Sequence, residues 1–324
     1  MGSLLIPDVV PSPTQDAETL RKSFKGSFFG LGTDEKAIIS VLGHRNASQR
    51  KKIKEAYQQL YDKSLIDDLH SELSGDFGKA VILWAYDPPE RDARLANEVL
   101  INSWIRDEIA RLQMIVEIAC ASTPDHLVAV RQVYCALFGC SLEEDIIAHV
   151  SLPVQKVLVS LVSSYRYDKE LVDHSTANLE ASKLREATRT KQLDSDELIL
   201  ILSTRNIHQL KATFRCYEQN YGFSIYQDIS NSGEGPLESI LKVVIWCIDS
   251  PEKHFAEVVK KSTDGLGTDE DSLTRAIITR AEIDMIKVKE EYFKKKNTTV
   301  EYAVADDTSG YYREFLMTLL GANE

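Results

Sequence analysis

The chain has 324 residues, of which 43% are hydrophobic and 27% charged, a composition typical of a globular protein with a packed core. Lysine and arginine number 38 against 50 aspartates and glutamates, so the formal net charge is -12. This charge argues against binding to nucleic acid and against unaided binding to an anionic membrane, because both surfaces are themselves negative. An anionic partner would need a bridging cation.

The N-terminal stretch carries no recognisable targeting signal. No basic region followed by a long apolar run comes after Met1, and Ile6 stands where a myristoylation signal has Ser or Thr. The strongest apolar runs, 81–86 and 243–248, are much shorter than the roughly 18 residues of a membrane-spanning helix. The odd number of cysteines, without a CxxC pair, fits reduced thiols better than a disulfide framework. Together these features predict a cytoplasmic protein.

The first quarter of the chain shows the periodicity of short helices. Apolar residues recur at intervals of three and four residues, and no strand-like alternation competes with this pattern. Breaks in the pattern fall at 43–47, at 61–64 and at 74–75. The pattern predicts about five short helices in this part of the chain and an all-α protein.

A fourfold internal repeat organises the whole chain. Proline-bearing joints at 87–89 and 249–251 follow the first and third units, whereas a longer polar segment, 165–186, follows the second. These joints predict that the units are joined as two pairs, first with second and third with fourth. The repeat is marked by four tyrosines, separated by 77, 83 and 75 residues: Tyr57, Tyr134, Tyr217 and Tyr292.

A motif with the chemistry of a metal site occurs in the first and fourth units. The sequence Gly-Leu-Gly-Thr stands at 30–33 and at 265–268, and 38 residues lie between each threonine and an acid, Glu72 or Asp307. Glycines allow positive φ and so let successive carbonyl oxygens point toward one place. Calcium binds such carbonyls together with a bidentate carboxylate and water. The twinned motif therefore predicts two calcium sites.

The same motif has a simpler explanation, the capped start of a helix. Thr33 and Thr268 are suitable N-cap residues, and acidic residues follow them in the first turn. An isolated motif favours this interpretation, but the acid repeated in register favours a metal site. The second and third units are expected to be structural, because the equivalent places hold neither the glycine turn nor a carboxylate. These places are Ile109 and His149 in the second unit, and Gln192 and Ser232 in the third.

The fourfold repeat with its GxGT motif and distant acid resembles the annexin family over nearly the whole chain. The sequences at 44–50, 87–93 and 116–120 are similar to those of its plant branch. The resemblance implies four repeats of about five helices each, forming a curved disc with calcium loops on the convex face that meets the membrane. The implied segments are an N-terminal tail, 1–15, and repeats at 16–87, 88–166, 167–248 and 249–324.

The resemblance also implies the calcium ligands. They are the carbonyls of Phe28, Gly30 and Gly32 with the side chain of Glu72, and the carbonyls of Thr263, Gly265 and Gly267 with the side chain of Asp307. The chain departs from the family pattern by about four extra residues around 27–29. Either these residues extend the preceding helix, or Phe28 or Phe29 projects beside the calcium loop into the lipid interface. Whether Phe28 supplies a carbonyl depends on which of the two holds.

The function expected first is calcium-dependent binding to anionic phospholipid membranes. The protein is expected to be a monomer in solution that attaches peripherally to membranes when calcium rises, with Ca²⁺ as its cofactor and with actin as an additional candidate partner. It is not expected to be an enzyme. A metal-free helical scaffold would explain the repeats but would leave the twinned motif unexplained.

Weaker signals keep other functions open. By resemblance, His44 stands where plant annexins carry a histidine linked to peroxidase activity, and 264–267 matches the DxxG of GTPases, although no phosphate-binding loop is present. These two signals would support an enzyme. Two further pairs would support redox sensing or a calcium-permeable channel: Cys120 with Cys247, and Asp92 with Arg275.

Overall fold

The structure is a computed structural model that describes residues 1–25, 32–101, 108–265 and 267–322. These residues form twenty α-helices and no β-strand. The helices fall into four consecutive sets of five, and each set corresponds to one unit of the sequence repeat. The prediction of an all-α protein with four repeats of about five helices is confirmed.

The helices have the following bounds. The first repeat contains α1 (Pro13–Ser23), α2 (Glu35–Leu42), α3 (Ala47–Tyr61), α4 (Leu65–Glu72) and α5 (Gly75–Ala85). The second contains α6 (Pro88–Ile101), α7 (Glu108–Cys120), α8 (Pro124–Phe138), α9 (Leu142–His149) and α10 (Val154–Ser163). The third contains α11 (His174–Arg189), α12 (Asp196–Thr204), α13 (Ile207–Tyr221), α14 (Ile225–Ser232) and α15 (Pro236–Asp249). The fourth contains α16 (Pro251–Thr263), α17 (Glu270–Arg280), α18 (Met285–Lys296), α19 (Val300–Asp307) and α20 (Gly310–Leu319).

The helices pack into two compact units. Unit 1 consists of Met1–Arg91 and Phe255–Glu324 and so contains the first and fourth repeats, whereas unit 2 is the continuous segment Asp92–His254. The expectation that the first repeat pairs with the second, and the third with the fourth, is therefore wrong. The proline-bearing joints show where the chain turns between consecutive repeats, but the apolar faces of the helices decide which repeats share a core.

The repeat tyrosines are buried, and three of them make the same hydrogen bond. Each of these three hydroxyls donates to an aspartate eleven residues further on, in the first turn of the fourth helix. The pairs are Tyr57–Asp68, Tyr134–Asp145 and Tyr217–Asp228. Tyr292 is equally buried, but Ala303 occupies the corresponding position in the fourth repeat. The tyrosine therefore joins the third helix to the fourth in the first three repeats.

A buried ion pair connects the two repeats of unit 1. Arg50 on α3 is 2% exposed, and its Nη2 donates to Oε2 of Glu282 at 2.9 Å. The guanidinium also lies on the ring of Trp84, with 3.6 Å between its central carbon and the ring centroid. Oε1 of Glu282 accepts a hydrogen bond from the N–H of Ala47 at the start of α3 (2.7 Å). Burial lowers the pKa of Arg50 to about 10, although the charge of Glu282 opposes this shift.

The first residues of the chain pack against the end of the fourth repeat. The N–H of Ser3 donates to the carbonyl of Ala281 at 2.8 Å, and its hydroxyl donates to the carbonyl of Leu319 at 2.6 Å. Gly321 has a φ of +69°, and a Cβ on it would lie 2.3 Å from the Ser3 carbonyl oxygen. A glycine is therefore needed at 321 both for its backbone conformation and for this close contact.

The repeat tyrosines predict a loss of stability at alkaline pH. Burial and the hydrogen bond to aspartate raise the pKa of Tyr57 and that of Tyr217 to about 12, whereas an unfolded tyrosine titrates near 10. The folded state keeps these two protons longer, so their stabilising contribution is complete below about pH 10 and is lost as the pH rises toward 12. We expect the melting temperature, measured by circular dichroism, to fall more steeply in this window for the wild type than for a Tyr57→Phe/Tyr217→Phe variant.

A Tyr302→Phe variant provides the control, because this side chain is exposed. Its melting temperature should follow that of the wild type throughout the titration. If the double variant and the wild type lose stability in parallel, groups other than these two tyrosines control the alkaline transition.

Candidate functional site

The two Gly-Leu-Gly-Thr loops end in the same backbone geometry. In both repeats the aspartate after the threonine is the N-cap of the next helix, with φ -90° and ψ 86° at Asp34 and φ -89° and ψ 85° at Asp269. The Asp34 carboxylate accepts a hydrogen bond from the N–H of Ala37 at 3.0 Å, and the Asp269 carboxylate accepts one from the N–H of Ser272 at 3.1 Å. The two loops therefore lead into α2 and α17 in one conformation.

The prediction that Thr33 and Thr268 are the N-caps is wrong by one residue. Their hydroxyls instead reach the acids that the sequence spacing selects. Oγ1 of Thr33 donates to Oε2 of Glu72 at 3.2 Å, and Oγ1 of Thr268 donates to the main-chain carbonyl of Asp307 at 2.9 Å. In each repeat the end of the loop and the distant acid are thus neighbours.

The acids occupy one defined place in the repeat. Glu72 is the last residue of α4, and Asp307 is the last residue of α19, the fourth helix of its repeat. In repeats 2 and 3 the fourth helix likewise ends at His149 and at Ser232. The His149 ring contacts the carbonyl of Asp145 through Nδ1 (2.9 Å), and the Ser232 hydroxyl donates to the carbonyl of Asp228 (2.8 Å), so each bonds to its own helix.

Ile109 in repeat 2 and Gln192 in repeat 3 stand where repeats 1 and 4 have the glycine loop. Neither position has the conformation of that loop. Ile109 lies within the first turn of α7, so the chain at this position is helical. The N–H of Gln192 donates to the carbonyl of Ala187 at 2.9 Å, which folds the segment back onto the end of α11. Neither position carries a glycine or a side-chain oxygen with a negative charge.

The oxygen donors of the described loops suit a hard cation. Gly32, Gly265 and Gly267 have φ values of 85°, 125° and 95°, and a Cβ at any of them would meet no atom within 4 Å. Their conformation, and not a lack of space, therefore requires glycine. Thr263 ends α16 directly before this turn. Carbonyl and carboxylate oxygens are ligands that calcium prefers, so the donor set fits this ion.

Two of the implied ligands, Phe28 and Gly30, lie outside the described residues. Within the described ranges no group of three or more His, Cys, Asp or Glu side chains is placed to hold a metal ion. Each described loop therefore combines main-chain oxygens with a single candidate carboxylate, an arrangement that leaves part of a calcium coordination shell to other oxygens.

The first loop is longer than the fourth. In both repeats the N–H of the N-cap aspartate donates to a serine carbonyl at the end of the first helix, from Asp34 to Ser23 and from Asp269 to Ser262, each at 2.9 Å. Ten residues lie between the two bonded residues in the first repeat and six in the fourth. This difference matches the predicted insertion. Residues 27–29, including Phe28 and Phe29, lie outside the described residues, so their conformation stays a prediction.

Both candidate acids line a single cleft of about 410 Å³ in unit 1. Three further carboxylates line it, those of Glu35, Asp76 and Glu270, and so do several aromatic side chains. Carboxylates that face one cleft produce a negative potential that attracts cations. The two acids selected by the sequence, Glu72 and Asp307, therefore lie in one acidic cleft.

The two acids near the fourth loop, Asp307 and Asp264, have pKa values shifted in opposite directions. Burial, followed by repulsion from Asp306 and from Asp264, raises the pKa of Asp307. Asp264 has the opposite shift: a hydrogen bond from Lys296, 2.6 Å away, lowers its pKa, and Lys260 contributes in the same direction. A cation bound beside Asp307 would relieve the repulsion that the carboxylate now experiences.

The residues behind the alternative functions have other contacts. Nδ1 of His44 lies 2.9 Å from the Leu5 carbonyl, which can only accept, so the ring donates to the N-terminal segment. Cys120 and Cys247 are buried, and burial raises the pKa of the Cys120 thiol, which makes it less reactive. Asp92 lies 2.7 Å from Nε2 of His126. Arg275 is buried in α17, and Asp264 of the DxxG sequence forms ion pairs with lysines.

Comparison with known proteins identifies the repeat. A sequence model of the annexin family matches residues 15–84, 111–161, 180–244 and 254–319, which is one segment in each repeat. The chain belongs to the annexin family. It is 53% identical to Annexin D3 of Arabidopsis thaliana over 323 residues, which cover 99% of each chain. Membership supports calcium-dependent phospholipid binding as the general activity, in a family of membrane-binding rather than catalytic proteins.

The fold is similar to those of solved annexin structures. The structure of annexin III has a TM-score of 0.90 and 29% sequence identity, and the match covers 100% of this chain and 98% of that one. A structure described as calcium-bound annexin (Sm)1 has a TM-score of 0.82 and 28% identity, with 96% and 90% of the two chains covered. None of the described helices has the length and apolar character needed to cross a bilayer.

Two structural features of the loops are absent from the sequence prediction. The capping aspartates Asp34 and Asp269 directly follow threonines that are equally good caps, so composition alone does not select them. The lysine run 294–296 is visible in the sequence. The spacing of the glycine motif does not predict that this run lies near the loop, because its contact with Asp264 depends on the packing of α18 beside α16.

Substituting each of the two candidate cap residues in turn tests which of them caps the helix. Asp34→Ala should destabilise unit 1 by about 1 kcal/mol, because it removes the side-chain acceptor for the N–H of Ala37. Thr33→Val should cost less, because its hydroxyl bonds to Glu72, which is exposed. Melting temperatures of the two variants provide the measurement, and Asp269→Ala against Thr268→Val should repeat the contrast. A larger loss for either threonine variant would assign the cap to the threonine.

Proposed function

We propose that this annexin attaches to anionic phospholipid membranes through calcium ions held by the loops of repeats 1 and 4. The repeats are assigned to 16–87, 88–166, 167–248 and 249–324, after an N-terminal tail, 1–15. Repeats 2 and 3 serve as structural parts of the molecule. The proposed ligands in the first loop are the carbonyls of Phe28, Gly30 and Gly32 with Glu72, and in the fourth loop the carbonyls of Thr263, Gly265 and Gly267 with Asp307.

The observation that carries this proposal is the recurrence of one loop geometry in two repeats. The N-cap dihedral angles of Asp34 and Asp269 differ by only about a degree, and each preceding threonine reaches the residue that ends the fourth helix. A capped helix start alone would not need the threonine to contact an acid 39 residues away. The family's general activity, together with the calcium-bound state of annexin (Sm)1, supports calcium as the ion.

The protein residues prepare each loop for a cation. The glycines have the positive φ that a turn of successive carbonyl oxygens requires, and the threonine hydroxyl holds the loop end against the fourth helix. When calcium is bound, it supplies a positive charge with open coordination positions that lipid phosphate oxygens can fill. The acidic cleft lined by Glu72 and Asp307 would otherwise repel an anionic membrane. The proposal thus explains how a chain of net charge -12 associates with a negative surface.

Calcium and lipid should bind interdependently. Each loop offers a single carboxylate, which is too little charge for high affinity, so calcium without lipid should bind at roughly 10⁻⁴ to 10⁻³ M. Adding phosphatidylserine vesicles should strengthen calcium binding, and adding calcium should strengthen vesicle binding by the same factor. Calorimetry with and without vesicles measures both quantities. Micromolar calcium affinity in the absence of lipid would contradict the proposed sites.

Removing the two acids should abolish membrane attachment without unfolding the protein. Glu72→Gln and Asp307→Asn keep the side-chain volume but remove the charge and the bidentate coordination, so each should weaken calcium-dependent sedimentation with vesicles and together they should nearly abolish it. The matched controls are His149→Gln and Ser232→Asn, at the last residue of the fourth helix in repeats 2 and 3. Both controls should bind as the wild type does. Full binding by the double acid variant would place the calcium sites elsewhere.

A further inference from the structure

Five lysines lie at the adjoining ends of two helices beside the loop of repeat 4. They are Lys260 and Lys261 in the last turn of α16, and Lys294, Lys295 and Lys296 in the last turn of α18, and we call them the lysine cluster. Lys295 connects the two helices through Glu257, at 2.9 Å. The cluster is therefore one surface and not two separate helix ends.

The cluster touches the candidate calcium loop directly. Nζ of Lys296 lies 2.6 Å from Oδ1 of Asp264, and Nζ of Lys260 lies 3.7 Å from Oδ2 of the same residue. Asp264 stands between Thr263 and Gly265, two proposed carbonyl donors. A headgroup phosphate close to the fourth loop would therefore be close to these ammonium groups as well.

The described ion pairs set three acids against the five lysines of the cluster. Glu257 pairs with Lys295 and Lys260, Asp264 with Lys296 and Lys260, and Glu291 with Lys294. The side chain of Lys294 is 66% exposed although it pairs with Glu291. Exposed ion pairs are weak, because water competes for both partners. Lys294 can therefore exchange its partner for another anion at small cost, and Lys260, Lys295 and Lys296 are each about one-third exposed.

The lysines at the end of the third helix are specific to repeat 4. Counted from the repeat tyrosine, the places of Lys294, Lys295 and Lys296 hold uncharged residues in the other three repeats. They are Gln59, Leu60 and Tyr61 in the first, Ala136, Leu137 and Phe138 in the second, and Gln219, Asn220 and Tyr221 in the third.

Stabilisation of a helix end is the competing explanation. Cations at a helix C-terminus are favourable because they oppose the partial negative charge of the last carbonyls. The third helices of the other repeats, however, end in the same left-handed C-cap with no basic residue in the last turn. The helix therefore forms without lysines, and their contact with the loop calls for another account.

We propose that the lysine cluster recognises lipid headgroups that carry a phosphate monoester, next to the calcium loop of repeat 4. This inference rests on the proposed calcium-dependent attachment and adds a headgroup preference to it. A phosphate monoester carries a charge of about -1.5 to -2 at neutral pH, more than a phosphodiester does, and it has three acceptor oxygens. Lysine ammonium groups act as point charges for phosphate, and clusters of four to eight basic residues are typical of surfaces that bind multiply charged headgroups.

Vesicles with different headgroups test the preference. The probes are phosphatidylcholine vesicles that contain phosphatidylserine, and vesicles that contain phosphatidic acid at the same total negative charge, each with calcium and with a chelator. In calcium the wild type should bind the phosphatidic acid vesicles more tightly. Equal affinity for both vesicles in calcium would overturn the lysine-cluster proposal alone, whereas no calcium-dependent binding to either would overturn the proposed attachment.

A charge-matched pair of variants assigns the preference to the cluster. Lys294→Gln/Lys296→Gln should lose affinity for phosphatidic acid vesicles by about fivefold per lysine, the factor that corresponds to the roughly 1 kcal/mol contributed by a lysine near an anionic surface. Its affinity for phosphatidylserine vesicles should change less. The control, Lys51→Gln/Lys52→Gln, removes the same charge from exposed positions on α3 of the same unit. Equal losses in the two variants would overturn the proposal.

A gain-of-function variant covers the case in which the lysine substitutions destabilise the protein. Glu291→Gln removes an acidic partner of Lys294, so it should strengthen binding to phosphatidic acid vesicles in calcium and leave the melting temperature close to that of the wild type. Unchanged or weaker binding by this variant would overturn the proposal, because it would mean that the net charge of the cluster does not affect binding to the vesicles.

Discussion

The ion pair between the buried Arg50 and the partly buried Glu282 is the polar contact that constrains the arrangement of unit 1. A guanidinium that is 2% exposed would be very unfavourable without compensation, and here it has the Trp84 ring, the Arg45 carbonyl and the Glu282 carboxylate as partners. Glu282 comes from repeat 4 and also satisfies an N–H at the start of α3. The pair thus joins repeat 1 to repeat 4 within unit 1, where both candidate acids line one acidic cleft.

The sequence predicts much of the fold because its signals are local. Breaks in the apolar pattern at 43–47, 61–64 and 74–75 match the gaps between α2, α3, α4 and α5 within a residue or two. The offset from the repeat tyrosine also finds the last residue of every fourth helix, since the third helix ends at one distance from the tyrosine and the fourth helix has one length in all four repeats. The predicted pairing of repeats is wrong because the joints between repeats show only how the chain is connected. Unit 1 is assembled from segments far apart in sequence, as the contact of Arg50 with Glu282 shows.

The loop itself shows where prediction from sequence stops. Thr33 and Asp34 are both good N-cap residues, and the choice between them depends on two contacts that local sequence does not encode. One is the bond from Asp34 to the Ser23 carbonyl, and the other is the bond from Thr33 to Glu72, which comes from a different helix. The lysine cluster has the same origin, because its significance arises only when α18 packs beside the loop that follows α16. The two loops share the N-cap geometry of Asp34 and Asp269, but their surroundings differ, because lysines pair with Asp264 beside the fourth loop.

The division into a continuous and a discontinuous unit imposes an order on how the chain can be completed during synthesis. Asp92–His254 is one uninterrupted segment, so all of its partners exist before residue 255 is made. The first repeat must wait for the fourth, and the bond from Ser3 to the Leu319 carbonyl closes a loop of nearly the whole chain. The entropy cost of such a loop grows only slowly with its length, yet it must be met before the contact contributes anything. Until then Arg50 lacks its ion-pair partner Glu282 and Ser3 lacks the Leu319 carbonyl. Unit 1, which contains both candidate loops, is therefore the last part of the molecule to be completed.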